Sequence, residues 1–159
     1  MLDKKVFRTV VQNSPLVSLD ICLVCDGYIL FGKRNNDPLK GEWFTPGGRI
    51  FKNEAWQCAL LRIAKTELEL SNLSFKDFYL MGVWDHFYGN SIFGHDISTH
   101  YINLPHYIEL PARPRVITDN QHSKFSWFEL SVVCEGSEFH PYMRNYASWL
   151  LNKKENTDD

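Results

Sequence analysis

Hydrophobic and polar positions divide the chain into short extended segments and three helical ones. Val6 and Val10, and Phe7 and Val11, recur four apart after Asp3. That spacing predicts a short helix, capped by the aspartate and ended by Asn13, Ser14 and Pro15. Residues 16–24 are almost continuously apolar and rich in β-formers, Asp26-Gly27 is a turn signal, and residues 28–31 read as the returning strand of a hairpin. Residues 33–42 form a polar loop, and 43–49 an extended piece broken by Pro-Gly-Gly. Asn53 is expected to cap a helix from about 54 to 68, because Ala55, Ala59, Leu60, Ile63 and Leu68 fall largely on one face.

Residues 72–76 read as a loop, and residues 78–84 and 100–104 as strands. The polar stretch between those strands carries Gly89, Asn90, Gly94 and Asp96, and a loop of that length in a compact domain is usually functional. Residues 107–110 continue the second strand, 125–128 form a short one, and 139 to about 153 a closing helix with Pro141 in its first turn. The expected class is α/β, a mixed sheet with helices against it, as a single domain over 1–159 with a frayed acidic tail from about 154.

Composition narrows the function classes. Apolar residues make up 44% and charged residues 23%, an ordinary globular mix. No apolar run approaches the roughly 18–20 residues of a membrane span. A net charge of −2 gives no basic excess for nucleic acid. Aromatics at 14%, with five Trp, suit a tight core and a site that stacks on planar ligands. The first residues lack the apolar stretch of a secretory signal, so the expected location is cytoplasmic. Cys22 and Cys25 form a C-x-x-C without a second ligand pair, which favours free thiols over a zinc site.

The informative stretch is 47–68, Gly-Gly-Arg followed by a helix with Glu54, Arg62 and Glu67. A loop carbonyl and a helix carboxylate there are able to share a hard cation, and the cation to hold a diphosphate. From periodicity alone, a plain loop and an amphipathic helix with solvated charges is the simpler account.

The stretch resembles a Nudix box at Gly48, Glu54, Arg62, Glu67 and Leu70, with Gly41, Trp43, Pro46 and Gly47 similar to its usual lead-in. It departs at Ile63 and Thr66, where the motif has glutamates, and at Glu69, where it has Gly. Ile63 coordinates nothing, so one cation on Glu67 fits better than an array. Six further segments resemble GDP-mannose mannosyl hydrolases, an atypical Nudix branch: SPLVSLD (14–20), GKR (32–34), GEWFTPGGR (41–49), GVWDHFY (82–88), STHY (98–101) and DNQH (119–122).

The resemblance implies a Nudix fold, a mixed sheet sandwiched between helices. It implies hydrolysis of GDP-mannose or a related GDP-hexose to GDP and free sugar, by water attack at the anomeric carbon with inversion. Carried over, one Mg²⁺ per subunit is held by the Gly47 carbonyl, Glu67 and Gln121, and His122 is the general base. Asp20 and His86 contact the sugar. Tyr101 and Arg34, Arg49 and Arg62 surround the diphosphate, although Arg62 is equally able to pair with Glu54 or Glu67. Phe7 matches a residue at the guanine pocket, although an apolar residue on a short helix is more often core. The resemblance also implies a homodimer and a place beside surface-polysaccharide synthesis. The competing readings are a pyrophosphatase attacking phosphorus and a non-catalytic nucleotide-sugar sensor.

Overall fold

Strand β1 (Leu16–Cys25) is the spine of the molecule. Its side chains alternate, as in any strand. Leu19, Ile21 and Leu23 enter one apolar core, with Ala59, Leu60, Ile63, Ala64 and Leu68 of helix α2 (Trp56–Leu68). Cys22 and Val24 enter a second, with Met143, Tyr146, Ala147 and Leu150 of helix α4 (Pro141–Glu155). A strand covered on both faces has no solvent side over most of its length, which explains its nearly continuous apolar run. The computed structural model describes residues 2–116 and 122–155.

The Asp26-Gly27 turn returns the chain as β2 (Tyr28–Arg34), antiparallel to β1. Both turn residues have positive φ, 48° and 79°. The two strands then separate. Into the gap come β3 (Trp43–Phe44), on β2, and β4 (Gly47–Arg49), on β1. Along the other edge of β1 run β7 (Thr99–Asn103) and β8 (His106–Glu109), both parallel and in one register across Pro105. The expected continuation is therefore present. The expected strand over 78–84 is instead two pieces, β5 (Tyr79–Leu80) on β8 and β6 (Trp84–Tyr88) on β7. Strand β9 (His122–Glu129) pairs β2 and starts three residues earlier than expected. A short helix α3 (Leu130–Glu135), not anticipated, leads towards α4.

Helix α1 (Lys4–Asn13) is capped as expected, the Lys5 amide donating to Asp3 Oδ1 at 2.9 Å. Phe7, Val10 and Val11 pack on Leu16, Ile97 and Tyr101 of the same chain, while Leu2 and Val6 stay exposed. The cap expected at Asn53 is corrected. That residue has φ 66° and belongs to the preceding turn, and α2 starts at Trp56 behind Ala55, with no side-chain cap. Among the described residues no helix is long and apolar enough to cross a membrane.

Candidate active site

A cleft of about 680 Å³ opens beside the start of β1, walled by α1, α2, β4, β6, β7 and the 89–98 loop. Nine of the eleven residues singled out from the sequence line it: Phe7, Asp20, Arg34, Gly47, Arg49, Arg62, Glu67, His86 and Tyr101. Gln121 lies outside the described residues.

His122, expected as the base, is not among the described side chains that wall the cleft. Its ring is 1% exposed and packs on Phe125, with centroids 5.0 Å apart. It fills the space beside Gly32, where any Cβ would collide with it.

The cation end of the cleft follows from the ladder between β1 and β4. The Ile21 amide donates to the Pro46 carbonyl and the Ile50 amide to the Val17 carbonyl. Hydrogen-bonded pairs alternate along an antiparallel ladder. The carbonyls of Gly47 and Arg49 are therefore not used by β1 and point away from it. The Arg49 carbonyl indeed accepts from Arg62 Nη2 of α2 at 2.8 Å. The Gly47 carbonyl, two residues earlier on the same edge, and Glu67 of the same helix line one cleft. A carbonyl and a carboxylate are hard oxygen donors of the kind Mg²⁺ takes. Ile63, one turn before Glu67, is 1% exposed and seated under Gly48, where a methyl group would lie 3.3 Å from Ile63 Cγ1. The donor set fits one cation. Among the described residues no cluster of three or more His, Cys, Asp or Glu is placed to hold a metal.

The arginines divide. Of the two partners open to Arg62, the structure selects Glu54: Nε donates to Oε1 at 2.7 Å and Nη2 to Oε2 at 2.9 Å. Glu54 also accepts from the Phe51 amide at 2.9 Å. The Arg62 bond, chiefly, holds the Glu54 carboxyl below its usual range. Arg62 thus braces the 49–54 loop against α2. Arg49 lies 4.1 Å from the centre of the Phe7 ring, which makes Phe7 a cleft wall as well as a core residue. Arg34 acts across the cleft on Asp20 and Tyr101. Burial raises the Tyr101 phenol above its ordinary value, so it keeps its proton and is a donor.

Beside Gly47, and reaching across to α4, is a buried polar knot. Asp20 is 6% exposed, and burial raises its carboxyl to about 6 against the donors Tyr146 and Asn103 and the charge of Arg34. Its Oδ2 accepts from Asn103 Nδ2 at 2.9 Å and from the Tyr146 hydroxyl at 2.8 Å. His86 is 1% exposed and stacks on Tyr142, with centroids 4.0 Å apart. Burial, helped by His140, lowers it to about 4, so it is neutral at pH 7. Sequence reasoning missed Asn103 and Tyr146. The available signal was that an Asp in an apolar strand and a Tyr on the apolar face of α4 each require a partner.

His100 and Tyr101 point to opposite faces, as expected of strand neighbours. His100 meets Asp85 at 2.8 Å at the surface while Tyr101 lines the cleft. Cys22 and Cys25, three apart on one strand, also face opposite ways, which removes the zinc reading.

The NUDIX domain model matches residues 16–150. The chain is 36% identical over 144 residues to the low-salt glycan biosynthesis protein Agl8 of Haloferax volcanii, covering 91% of this chain and 87% of that one. Its fold is similar to the MutT protein from Methanosarcina mazei Go1, with a TM-score of 0.70 at 16% identity over 89% of this chain and 97% of that one. It is similar also to the MutT NUDIX hydrolase from Burkholderia pseudomallei, with a TM-score of 0.67 at 24% identity over 86% and 98%. These likenesses establish the expected fold, a mixed sheet between helices.

Proposed function

This chain belongs to the Nudix family, and we propose that within it the protein hydrolyses a GDP-hexose, GDP-mannose first among them, to GDP and free sugar. The observation that carries the reading is Ile63. It occupies the place one turn before Glu67, packed under Gly48, so the cleft has one α2 carboxylate where attack at phosphorus calls for several carboxylate-bound ions. Attack at the sugar carbon asks less: a stabilised leaving group, a fixed sugar and a base. A relative named for glycan biosynthesis supports a nucleotide-sugar substrate and a role beside polysaccharide synthesis.

Gly47, Glu67 and Gln121 would hold one Mg²⁺, which when bound neutralises charge growing on the departing diphosphate. Arg34 and Arg49 flank that diphosphate, and Tyr101 donates to it. Guanidinium forks match phosphate oxygens in geometry as well as charge. The ionised Asp20 and the neutral His86 meet the sugar hydroxyls. The resemblance gives His122 as the base. Its ring is closed off beside Gly32 and must turn out to reach a water in the cleft, whereas Asp20 already lines it and is the competing base. The exposed Leu2 and Val6 of the α1 segment are the surface we assign to a homodimer.

Hydrolysis in ¹⁸O-water tests the reading. The label should appear on the anomeric hydroxyl, and an α-linked sugar should leave first as the β anomer, because direct displacement inverts. Label in GMP or a sugar phosphate would return the chain to the pyrophosphatases, and binding without turnover would make it a sensor.

A further inference from the structure

Tyr146 lies in the core of α4 and is fully buried. It does not line the cleft, yet its hydroxyl touches both residues assigned to the sugar. It sits 2.8 Å from Asp20 Oδ2 and 3.4 Å from His86 Nε2. The reach to Asp20 spans 126 residues of chain and follows from the alternation of β1, which turns Asp20 to the α4 face with Cys22 and Val24.

A tyrosine has one hydroxyl proton to give. Asp20 Oδ2, which also takes the Asn103 amide, is the acceptor placed for it. The Tyr146 oxygen is then an acceptor towards His86, so the proton of the neutral imidazole belongs on Nε2 and the lone pair on Nδ1. Asp20 is constrained in the same way. Oδ2 already takes two donors, Tyr146 and Asn103, which turns Oδ1 towards Gly47. The remaining neighbours of His86 do not set this pattern. Tyr142 stacks on the ring face and uses its hydroxyl on the Phe87 backbone, Phe44 and Tyr88 meet the ring edge-on, and His140 and Asp85 act on it through charge.

We propose that Tyr146 is a positioning residue for the sugar end of the cleft, its one hydroxyl fixing the orientation of the Asp20 carboxylate and the Nε2–H tautomer of His86 so that both offer acceptors to hydroxyls of a bound hexose. This rests on the assignment of Asp20 and His86 to the sugar. Specificity follows, because a site that presents acceptors discriminates strongly against an analogue lacking the hydroxyl it was built to meet.

Tyr146→Phe removes one oxygen and keeps the ring, with its edge contact to Trp84 at 5.1 Å. ¹⁵N spectra of the free protein should show His86 as the Nε2–H tautomer, and in the variant a mixture of tautomers. With GDP-mannose, kcat/KM should fall about tenfold or more, the loss expected when a hydrogen bond to a charged group goes. Inhibition by GDP, which has no hexose to meet Asp20 or His86, should weaken less than kcat/KM does, even though Gly47 and Arg34 border Asp20.

An Nδ1–H tautomer in the wild type overturns the proposal, and so does a variant whose His86 spectrum and kcat/KM are unchanged. Equal loss of GDP and GDP-mannose recognition also overturns it, as the mark of general damage. If Tyr146→Phe does not fold, the wild-type spectrum alone decides. If the wild type hydrolyses no GDP-sugar, the functional assignment fails while the tautomer measurement still judges Tyr146.

Discussion

Acidification should force a charge into the stack around His86. The ring is 1% exposed and lies 4.0 Å from Tyr142. Burial first, and His140 second, lower its pKa from 6.5 to about 4, with Asp85 opposing. A base depressed by folding contributes stability that is complete above its unfolded pKa. That stability drains away as pH falls from 6.5 through 4. The shift of about 2.5 units, at 1.36 kcal/mol each, makes the contribution about 3 kcal/mol. In a domain of this size that is about 6–12 °C in melting temperature. His106 and His140, also lowered by burial, add to the acid loss. The reading is therefore a difference. His86→Phe keeps a ring on Tyr142 and removes the titration. Thermal unfolding of both proteins at pH 7 and pH 4 should show the variant gaining about 3 kcal/mol on the wild type between the two. A gap that stays constant would mean that His86 is not held neutral by its surroundings.

Glu67→Gln should lower the Mg²⁺-dependent rate by orders of magnitude. Ile63→Ala should leave the metal requirement unchanged and lose about 2–5 kcal/mol of stability to a cavity; two essential metals found by titration of the wild type would sink the single-cation site. His122→Ala should lower kcat by about 10²–10⁴ with little change in substrate binding if its imidazole takes the proton, and a loss in kcat no larger than the loss in binding would pass that role to Asp20. Sedimentation should show a dimer that Val6→Glu dissociates; a fully active monomer at working concentration rules the dimer out.

Local signals in the sequence were read correctly where the structure is local. The Asp26-Gly27 hairpin and the Asp3 cap each depend on residues close in the chain. The start of α2 differs from the expectation because Asn53 is as good a turn residue as a cap, and here the left-handed turn prevails. The strand expected over 78–84 gave no sign that its halves pair different partners, β8 and β7. Nine residues taken from the resemblance meet in one cleft, while the contacts that support them were not legible in the sequence. Asn103 and Tyr146 reach Asp20 across 83 and 126 residues, distances over which spacing carries no information. The position of His122 depends on the pairing of β9 with β2, which a polar tetrapeptide does not announce.

The spine strand has a further consequence, for which changes the protein tolerates over time. From Leu19 to Val24 the β1 residues divide between two cores by parity, with Asp20 on the face towards α4. A substitution within β1 perturbs one face. Loss or gain of a single codon there would exchange the faces of every residue beyond it, turning Asp20 into the α2 layer and an aliphatic neighbour into the sugar end. The 35–41 and 89–98 segments carry no such parity and border the same cleft. Length variation should therefore accumulate in those two segments, where it reshapes what the cleft admits, while β1 keeps its length and changes only by replacement.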